Sequence, residues 1–429
     1  MSTVCVHGLG YIGLPTAAML ANFEHAVYGY DRDETVRTRL QEGEVHFDEP
    51  GLRAFVTQAL ESENLQISSA VPEAKYHIIC VPTPFDQQTK SPDLSAVEMA
   101  GEAVSNQLRP GDTAILESTV PPGTTANVLN PILEKSGLAG GSDFALVHCP
   151  ETVMPGNIVT ELQENNRIIG GLNGVSTESA VRLYDSFVRG EIRTVSNPTT
   201  AEFVKIIQNT YRDVNIALAN EIAKVAADYG VDSRTAIGLA NTHPRVDLHQ
   251  PGPGVGGHCL PVDPWFLGHE SESLEMIPTA RAVNDSMIEF VIDMLRRELG
   301  DLSDKKIAVL GVAYKGDVSD TRNSPGLALL YRLDANSTGS ASRKSEYTDG
   351  CPAVAVWDPN VCDVEVPIVD KEAAIVDADA LVIMSDHTQF TELDPSRIRE
   401  LMTGEIVIDT KAILDRERWI ESGFRLLRV

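Results

Sequence analysis

An α/β fold with two doubly wound parallel sheets joined by an all-helical middle follows from three features of the sequence. Two strand-to-glycine turns, at residues 3–8 and 306–311, lie far apart in the chain; strand-like apolar runs alternate with helical segments around each; and a long stretch of helical periodicity lies between them. Residues 3–8 (Thr-Val-Cys-Val-His-Gly) read as a short buried strand, followed by a glycine turn and an apolar helical run over 12–21. Residues 27–31 form the next strand, with further strands at 78–81, 113–117 and 145–148, and this first domain covers 1–197. Thr199 with Glu202 three residues later reads as a capping box, opening a helix that runs to Gly230. At roughly 45 Å it exceeds the usual helix and suits a spine joining domains or subunits. A second helical region around 275–299 completes a central domain of 198–301 with a long central helix. Residues 306–311 then start a second α/β domain, 302–429, with strands at 353–357, 380–384 and 406–408. The stretch 334–352, rich in Ser, Gly, Asp and Asn, reads as a mobile surface loop, and no fixed-period repeat is present.

The 429 residues, 42% hydrophobic, supply apolar surface for several cores rather than one. No run approaches the roughly 18 apolar residues of a membrane span. The N-terminus lacks the basic region, apolar run and cleavage site of a signal peptide, so a cytoplasmic protein is expected. Six scattered cysteines without a C-x-x-C pair argue against a disulfide framework or a metal site. The net charge of -27, with 24 Arg and 11 Lys, disfavours nucleic acid and anionic membranes as partners. A lysine-poor acidic surface resembles those of halophilic microbes, where counter-ions screen the repulsion; an ordinary acidic enzyme is the alternative.

Gly8, Gly10 and Gly13 make the pattern G-x-G-x-x-G around Tyr11 and Ile12, between a strand and a helix, and Asp31 ends the next strand 18 residues after Gly13. The first glycine permits the tight turn, the second lets backbone approach a pyrophosphate, and the third lets the helix pack close. The helix N-terminus attracts the phosphates. Asp31 would accept hydrogen bonds from the adenine ribose and repel a 2′-phosphate, which favours NAD over NADP, while Arg32 weakens that preference. A flavin or nucleotide-sugar site on the same Rossmann-like fold is the other reading. Gly311 to Gly316 is not a P-loop, because Lys315 precedes the second glycine. That domain is expected to bind another kind of nucleotide.

Residues 252–265 (Gly-Pro-Gly-Val-Gly-Gly-His-Cys-Leu-Pro-Val-Asp-Pro-Trp) pack four glycines and three prolines around one thiol. Glycines permit close backbone approach and prolines stiffen the loop. Cys259, beside His258 and four residues before Asp263, is a candidate nucleophile, with a buried structural cysteine as the alternative.

With this loop the sequence resembles the UDP-sugar 6-dehydrogenase family, specifically its UDP-N-acetylhexosamine branch. The resemblance runs in order along nearly the whole chain. Besides the glycine fingerprint and the cysteine loop it rests on Val-Pro-Thr-Pro at 81–84, Glu-Ser-Thr-Val-Pro-Pro-Gly at 117–123, Cys149-Pro150-Glu151 with Pro155-Gly156, and Lys205 with Asn209. Lys315-Gly316-Asp317 and Asp320-Thr321-Arg322 complete it. The resemblance implies four-electron oxidation of a UDP-sugar at C6: Cys259 attacks an aldehyde to give a thiohemiacetal, hydride passes to a second NAD, and the resulting thioester is hydrolysed. It implies that Lys205 and Asn209, at i and i+4 on one helix face, stabilise the oxyanion. A solvated helix face is the plainer alternative for that pair. Asp263, Thr119 and Glu151 correspond to residues that position or activate water. Pro82, Thr83, Ser118, Thr119 and Arg322 join the glycine motif as NAD contacts. Arg245, His249, Gly256 and Lys315 join Glu151, Lys205, Asn209 and Cys259 around the UDP-sugar, with Arg245 reaching a neighbouring subunit's site. The cations supply what a diphosphate needs from an otherwise acidic protein.

Glucose-specific members usually have serine before the catalytic cysteine and Lys-Asp after it, where this chain has His258 and Val262-Asp263-Pro264-Trp265. The implied substrates are, in order, UDP-N-acetylmannosamine, UDP-N-acetylglucosamine and UDP-glucose. Thr152 departs from that branch, which commonly has arginine there. A homodimer or larger homo-oligomer serving polysaccharide biosynthesis is also implied. Two other classes would be a single-step hydroxyacid dehydrogenase, which needs no nucleophilic thiol, and an NAD-sensing scaffold; NADH yield per sugar separates them.

Overall fold

The segments singled out at 81–84, 117–123 and 149–151 follow strand-like runs, so the sheets decide where those segments lie. The computed structural model describes residues 2–47, 49–86, 88–335, 351–362 and 364–429. Most of the loop expected at 334–352, residues 336–350, lies outside the described residues. The chain folds as two units, Met1–Gln208 with Trp265–Glu272, and Asn209–Pro264 with Ser273–Val429.

The strands of the first unit are β1 Thr3–His7, β2 Ala26–Tyr30, β3 Leu65–Ser68, β4 Tyr76–Ile79, β5 Phe85–Asp86, β6 Ser91–Pro92, β7 Thr113–Leu116, β8 Ala145–His148, β9 Arg167–Gly171 and β10 Ile192–Val195. Eight of them form one sheet in the order β10-β9-β8-β7-β4-β1-β2-β3, while β5 and β6 make a separate hairpin. Every residue of β4 and β7 is buried, polar His77 and Thr113 included, because helices cover both faces. β1 pairs β2 on one side and β4 on the other, both parallel, so the strand order reverses there and a crevice opens at the carboxyl ends. Val4, Val6, Leu14 and Leu20 join the core on one face, and Ile79, Leu116, Val97 and Val104 that on the other.

The expected strands and the doubly wound architecture are present, with a reversal at one margin, where β9 and the β10 that pairs it in parallel run against the other six strands. β8 and β9 are antiparallel, pairing Val147 with Gly171 and His148 with Gly170. The helix Ile158–Glu164 after β8 is too short to return the chain to the other end of the sheet. β9 therefore starts, at Arg167, beside the carboxyl ends of β7 and β8. β3, β9 and β10 carry no continuous apolar run: Leu-Gln-Ile-Ser, Arg-Ile-Ile-Gly-Gly and Ile-Arg-Thr-Val belong to the sheet's margins.

The second unit holds a five-stranded parallel sheet in the order β12-β11-β13-β14-β15, from β11 Lys306–Leu310, β12 Ala353–Trp357, β13 Ala380–Ile383, β14 Ile406–Asp409 and β15 Arg425–Arg428. Ile307 and Val309 face one core, and Ala308 and Leu310 the other, with the period of two that a strand imposes. The helical region expected around 275–299 is two helices, Met276–Asp285 and Met287–Leu299, meeting at Ser286. Buried Arg281 donates to Asp213 at 2.5 Å and to Asp285 at 2.6 Å. Asn284 donates to Asp213 at 2.9 Å and accepts from Asn220 at 2.9 Å, and Asn220 accepts Gly252 N–H at 2.8 Å. This chain of buried polar groups ties the long helix to the start of the cysteine loop.

The long helix spans Pro198–Tyr229, 32 residues. Its start corrects the capping-box expectation. Asn197 is the cap, its Oδ1 accepting Thr200 N–H at 2.8 Å, with Pro198 opening the helix where no backbone donor is needed. Glu202 turns away to accept from Gly123 N at 2.5 Å, Thr125 N at 2.7 Å and Thr125 Oγ1 at 2.5 Å. Sequence spacing placed a carboxylate near the helix start, but the desolvated amides of the 121–125 turn compete for it and win. Phe203, Ile207, Tyr211, Leu218, Val225 and Tyr229 are exposed along this helix. At 100° per residue they fall within about 80° of arc.

The corrected cap makes a measurable contrast. Asn197→Ala should lower stability by about 1 kcal/mol, while Thr199→Ala should stay within about 0.5 kcal/mol of the parent in denaturant unfolding followed by circular dichroism. Equal losses would return the cap to Thr199.

Candidate active site

In the first unit the turn after β1 is shaped by contact. Gly8 has φ +87°, and a Cβ there would stand 2.6 Å from the Cys80 carbonyl oxygen; a Cβ on Gly13 would stand 1.8 Å from the Gly8 oxygen. A Cβ on Gly10, by contrast, would meet nothing within 4 Å. Two glycines are thus required by packing and the third leaves an open approach. The following helix, Gly13–Asn22, has no side-chain cap and no acidic residue in its first turn, so its amides suit a pyrophosphate. Asp31 accepts Leu9 N–H at 2.8 Å on Oδ2 and Asp33 N–H at 2.9 Å on Oδ1, aligning it beside the turn. Arg32 points its Nη1 at the Met99 sulfur, 3.8 Å away. Tyr11 stacks on Phe47 with centroids 4.3 Å apart. These residues fit a dinucleotide.

The loops at the ends of β4 and β7 are knitted together. Thr83 Oγ1 donates to the Thr119 carbonyl at 2.8 Å and Ser118 Oγ to the Val81 carbonyl at 2.7 Å; Pro82 is exposed. Beneath them Glu117 is fully buried, accepting from Tyr184 at 2.6 Å and Cys80 Sγ at 3.1 Å. Glu151, 8% exposed, accepts Val153 N–H. Burial pushes its carboxyl up to about 7, against the opposing pull of Lys205 and then Arg167. Lys205 is buried on the long helix. His148, which the sequence reading did not single out, is fully buried, and neither ring nitrogen has a hydrogen-bond partner among the described residues. Burial, and then the Lys205 charge, lower it to about 3, so it stays neutral. No sequence signal marks His148, because only burial beside Lys205 makes it unusual. Thr152, in the position noted for its departure, uses its carbonyl to accept from Asn165 at 3.3 Å.

In the second unit Cys259 is exposed at the end of its loop, whereas burial pushes the Cys5 and Cys149 thiols up to about 12 and keeps them protonated. The Cys259 carbonyl accepts Val262 N–H at 3.0 Å and Asp263 N–H at 2.8 Å, which starts the helical turn Asp263–Phe266. Asp263 Oδ2 in turn accepts Asn209 Nδ2 at 2.6 Å, both side chains being buried. Gly257 has φ +87° and lies against the Tyr314 ring, 2.9 Å from where its Cβ would be; Gly256 has Asn323 O and Tyr314 Cβ at 2.8 Å from its own. The Asp320-Thr321-Arg322 segment is built into this loop: Gly257 N donates to Arg322 O at 2.9 Å, and Arg322 Nη2 pairs Asp320 at 2.6 Å. His258 and Arg245 are exposed, Lys315 is half-buried, and His249 meets Tyr211 edge to face at 5.9 Å.

The second sheet contains a glycine-and-acid arrangement that the sequence reading missed. Gly311 has φ +95°, a Cβ on Gly326 would stand 2.5 Å from its oxygen, and Asp358 Oδ2 accepts Val312 N–H at 2.7 Å and Ala313 N–H at 3.0 Å. These repeat the roles of Gly8, Gly13 and Asp31. The pattern is hidden because the turn between the two glycines is lengthened by the segment carrying Lys315, Gly316, Asp317 and Arg322. Buried His387 shares the same carboxylate oxygen, its Nε2 3.1 Å from Asp358 Oδ2, while Oδ1 accepts Asn360 N–H at 2.9 Å and Val361 N–H at 3.0 Å and His387 Nδ1 accepts Asp317 N–H at 2.9 Å. Among the described residues, Cys5, His7 and His77 bring ligand-type atoms within 4.8 Å of one another. His7 Nε2 and His77 Nδ1 hydrogen-bond each other at 3.2 Å, and their outer nitrogens lack the partners that metal-bound imidazoles have.

Because Asp31 aligns the turn and is expected to accept from the adenine ribose, Asp31→Ala should weaken NAD binding and narrow the NAD-over-NADP ratio of kcat/KM. Equal use of both cofactors by the unaltered protein would remove Asp31 from that role.

The UDP-glucose/GDP-mannose dehydrogenase family matches through all three of its domains: the NAD-binding domain over residues 2–188, the central domain over 199–286 and the UDP-binding domain over 308–416. UDP-N-acetyl-D-mannosamine dehydrogenase of Methanococcus aeolicus is 40% identical over 433 residues, covering 99% of this chain and 94% of its own. The solved structure of the Pyrococcus horikoshii UDP-N-acetyl-D-mannosamine dehydrogenase superposes with a TM-score of 0.90 at 39% identity, covering 100% of this chain and 99% of that one. A UDP-glucose dehydrogenase from Pyrobaculum islandicum gives 0.84 at 26% identity, covering 100% of this chain and 97% of its own. The chain belongs to the UDP-glucose/GDP-mannose dehydrogenase family and is an NAD-dependent nucleotide-sugar dehydrogenase.

Proposed function

We propose that this enzyme oxidises UDP-N-acetyl-D-mannosamine at C6 to the uronic acid through a covalent Cys259 intermediate. The observation that carries the mechanism is the exposed Cys259 thiol on a loop whose backbone is held by Val262, Asp263 and Arg322, in contrast to the buried, protonated Cys5 and Cys149. The sugar assignment is supported by the His258-Cys259 and Asp263-Pro264-Trp265 pattern and by the names of the relatives at about 40% identity.

An aldehyde carbon releases hydride only after a nucleophile has made it tetrahedral. The Cys259 thiolate adds to C6, forming the C–S bond and placing the carbonyl electron pair on oxygen. Lys205 and Asn209 stabilise that oxyanion, and Asp263, accepting from Asn209, holds the amide in orientation. Hydride acceptance, which bound NAD would supply, is needed twice: once from the C6 alcohol as its hydroxyl proton passes to water, giving the aldehyde, and once from this adduct. Collapse of the oxyanion with loss of hydride leaves a thioester on Cys259. Glu151, its carboxyl pushed up to about 7, takes a proton from the water that attacks this thioester, and the thiolate leaves; Thr119 is assigned to positioning that water. Arg245, His249, Gly256 and Lys315 are assigned to the UDP-sugar, and Pro82, Thr83, Ser118 and Arg322 to NAD.

The test is a panel of UDP-hexoses with product mass and NADH yield measured. UDP-N-acetylmannosamine should have the highest kcat/KM and give two NADH per sugar, and Cys259→Ala should abolish the carboxylate while leaving both ligands bound. A tenfold preference for UDP-glucose, about 1.4 kcal/mol, overturns the sugar assignment. Near wild-type yield of the acid from Cys259→Ala overturns the covalent path.

We further propose a homo-oligomer that uses the exposed stripe from Phe203 to Tyr229, in a salt-rich cytoplasm that screens the charge of -27. Activity and Tm should rise with KCl towards molar levels, where the screening length is about 3 Å, and light scattering should return at least a dimer mass. Flat or falling stability, or a monomer mass throughout, would count against this.

A further inference from the structure

We propose that the buried Glu117–Arg167 pair governs the acid–base behaviour of Glu151, making both of them positioning residues for the reaction. This rests on the reading of Glu151 as the group that activates water. The pair is enclosed: the Arg167 and Glu117 side chains are 3% and 0% exposed, with Nη1 and Oε1 3.7 Å apart. Tyr184 OH donates to Glu117 Oε1 at 2.6 Å, and Cys80 Sγ at 3.1 Å and Thr16 Oγ1 at 3.3 Å donate to Oε2. Arg167 lies over the Tyr184 and Phe187 rings, 5.2 and 5.9 Å from their centroids. Its Nη1 has no hydrogen-bond partner among the described residues, so the pair is geometrically incomplete as a structural bridge. Such a pair adds little net stability over apolar side chains of similar volume, which directs attention to what its charges act on.

The strand register answers that. Carrying the antiparallel β8–β9 ladder three residues beyond His148 and Gly170 brings Arg167 opposite Glu151. Carrying the parallel β7–β8 ladder one residue beyond Leu116 and His148 brings Glu117 beside Cys149, two residues before Glu151. The reversal of β9 is what delivers a guanidinium to this end of the sheet. Four charged groups then act on Glu151: Lys205 from the long helix and Arg167 from β9 favour its carboxylate, while Glu117 from the end of β7 and Glu161 from the helix Ile158–Glu164 oppose it. His148 on β8 contributes no charge, being neutral. Burial is the largest influence and holds the carboxyl at about 7. Glu117 matters because it offsets Arg167. Without it, an unopposed guanidinium would hold Glu151 ionised to lower pH.

The experiment is the pH dependence of kcat/KM for the wild type, Glu151→Gln, Glu117→Gln and the charge-neutral double variant Glu117→Gln/Arg167→Met, with Tm recorded for each. Wild-type activity should fall as pH drops through about 7, as the base takes up its proton. Glu151→Gln should lose that acidic limb. Glu117→Gln should move it down by about one pH unit or more, and the double variant should return it to within about 0.5 unit of wild type. A limb that persists in Glu151→Gln overturns the reading of Glu151, and the proposal with it. A limb that vanishes in Glu151→Gln but stays in place in Glu117→Gln overturns the pair's role alone, even where Tm falls. Should Glu117→Gln not fold, Arg167→Met decides with the opposite sign: a limb moved up by about one pH unit or more supports the proposal, and one that stays with wild type overturns it.

Discussion

Gly123 and Thr125 turn their backbone N–H groups into the Glu202 carboxylate, and the same contact recurs at the turns of both glycine motifs and after Glu151. Glu49, buried, accepts Gly156 N–H and Ile158 N–H at 2.8 Å each, fixing the segment after Glu151. Asp31 holds the first glycine turn through Leu9, and Asp358 holds the second through Val312 and Ala313. Such turns expose amides that no helix or sheet partner satisfies, and a charged acceptor is worth more to them than a neutral one. A protein with 62 acidic residues can supply those acceptors from within. Lengthening or shifting the turns held by Glu202, Glu49 or Asp358 would strand a buried carboxylate, so these are held to one geometry.

The mixed sheet has a consequence of the same kind. In a wholly parallel sheet every strand would begin at the end remote from the crevice. Reversing β9 brings a cation to the crevice end at the depth of Glu117, where a flexible surface side chain could not be kept dry. Charge effects are strongest where water is excluded, and Glu117, Glu151, Lys205 and Arg167 are each less than a tenth exposed. The protein thus has two electrostatic regimes: an acidic exterior that salt screens, and a small interior group that salt does not reach.

The two sheets reuse one solution with different turns. In the first, the glycine turn is short, Gly10 leaves the approach to the helix N-terminus clear, and Asp31 remains partly exposed. In the second, a long segment separates Gly311 from Gly326, and His387 covers Asp358. The inserted segment instead reaches the cysteine loop, where Arg322 O accepts from Gly257 and Asn323 Nδ2 donates to Gly257 O at 2.9 Å. The UDP-binding domain and the cysteine loop are thereby joined by one backbone–backbone bond and one side-chain bond, both to Gly257.

The sequence alone determined the two α/β domains, the long helix, the first glycine fingerprint with Asp31, and Cys259 as the thiol to examine. These are encoded locally, in apolar periodicity, in glycines that tolerate no Cβ, and in the glycine and proline density of residues 252–265. The assignments of Lys205, Asn209, Glu151 and Thr119 came through resemblance, because a lysine or glutamate at helical or loop spacing is too common to interpret. Only tertiary structure decided that Glu202 serves the 121–125 turn rather than its own helix, that β9 runs backwards, that Asp358 repeats Asp31, and that the charges of Lys205, Arg167 and Glu117 act on Glu151 and that of Lys205 on His148. Each of those outcomes joins residues distant in the chain. Burial and neighbouring charge set their chemistry, and neither exists until the sheet has assembled.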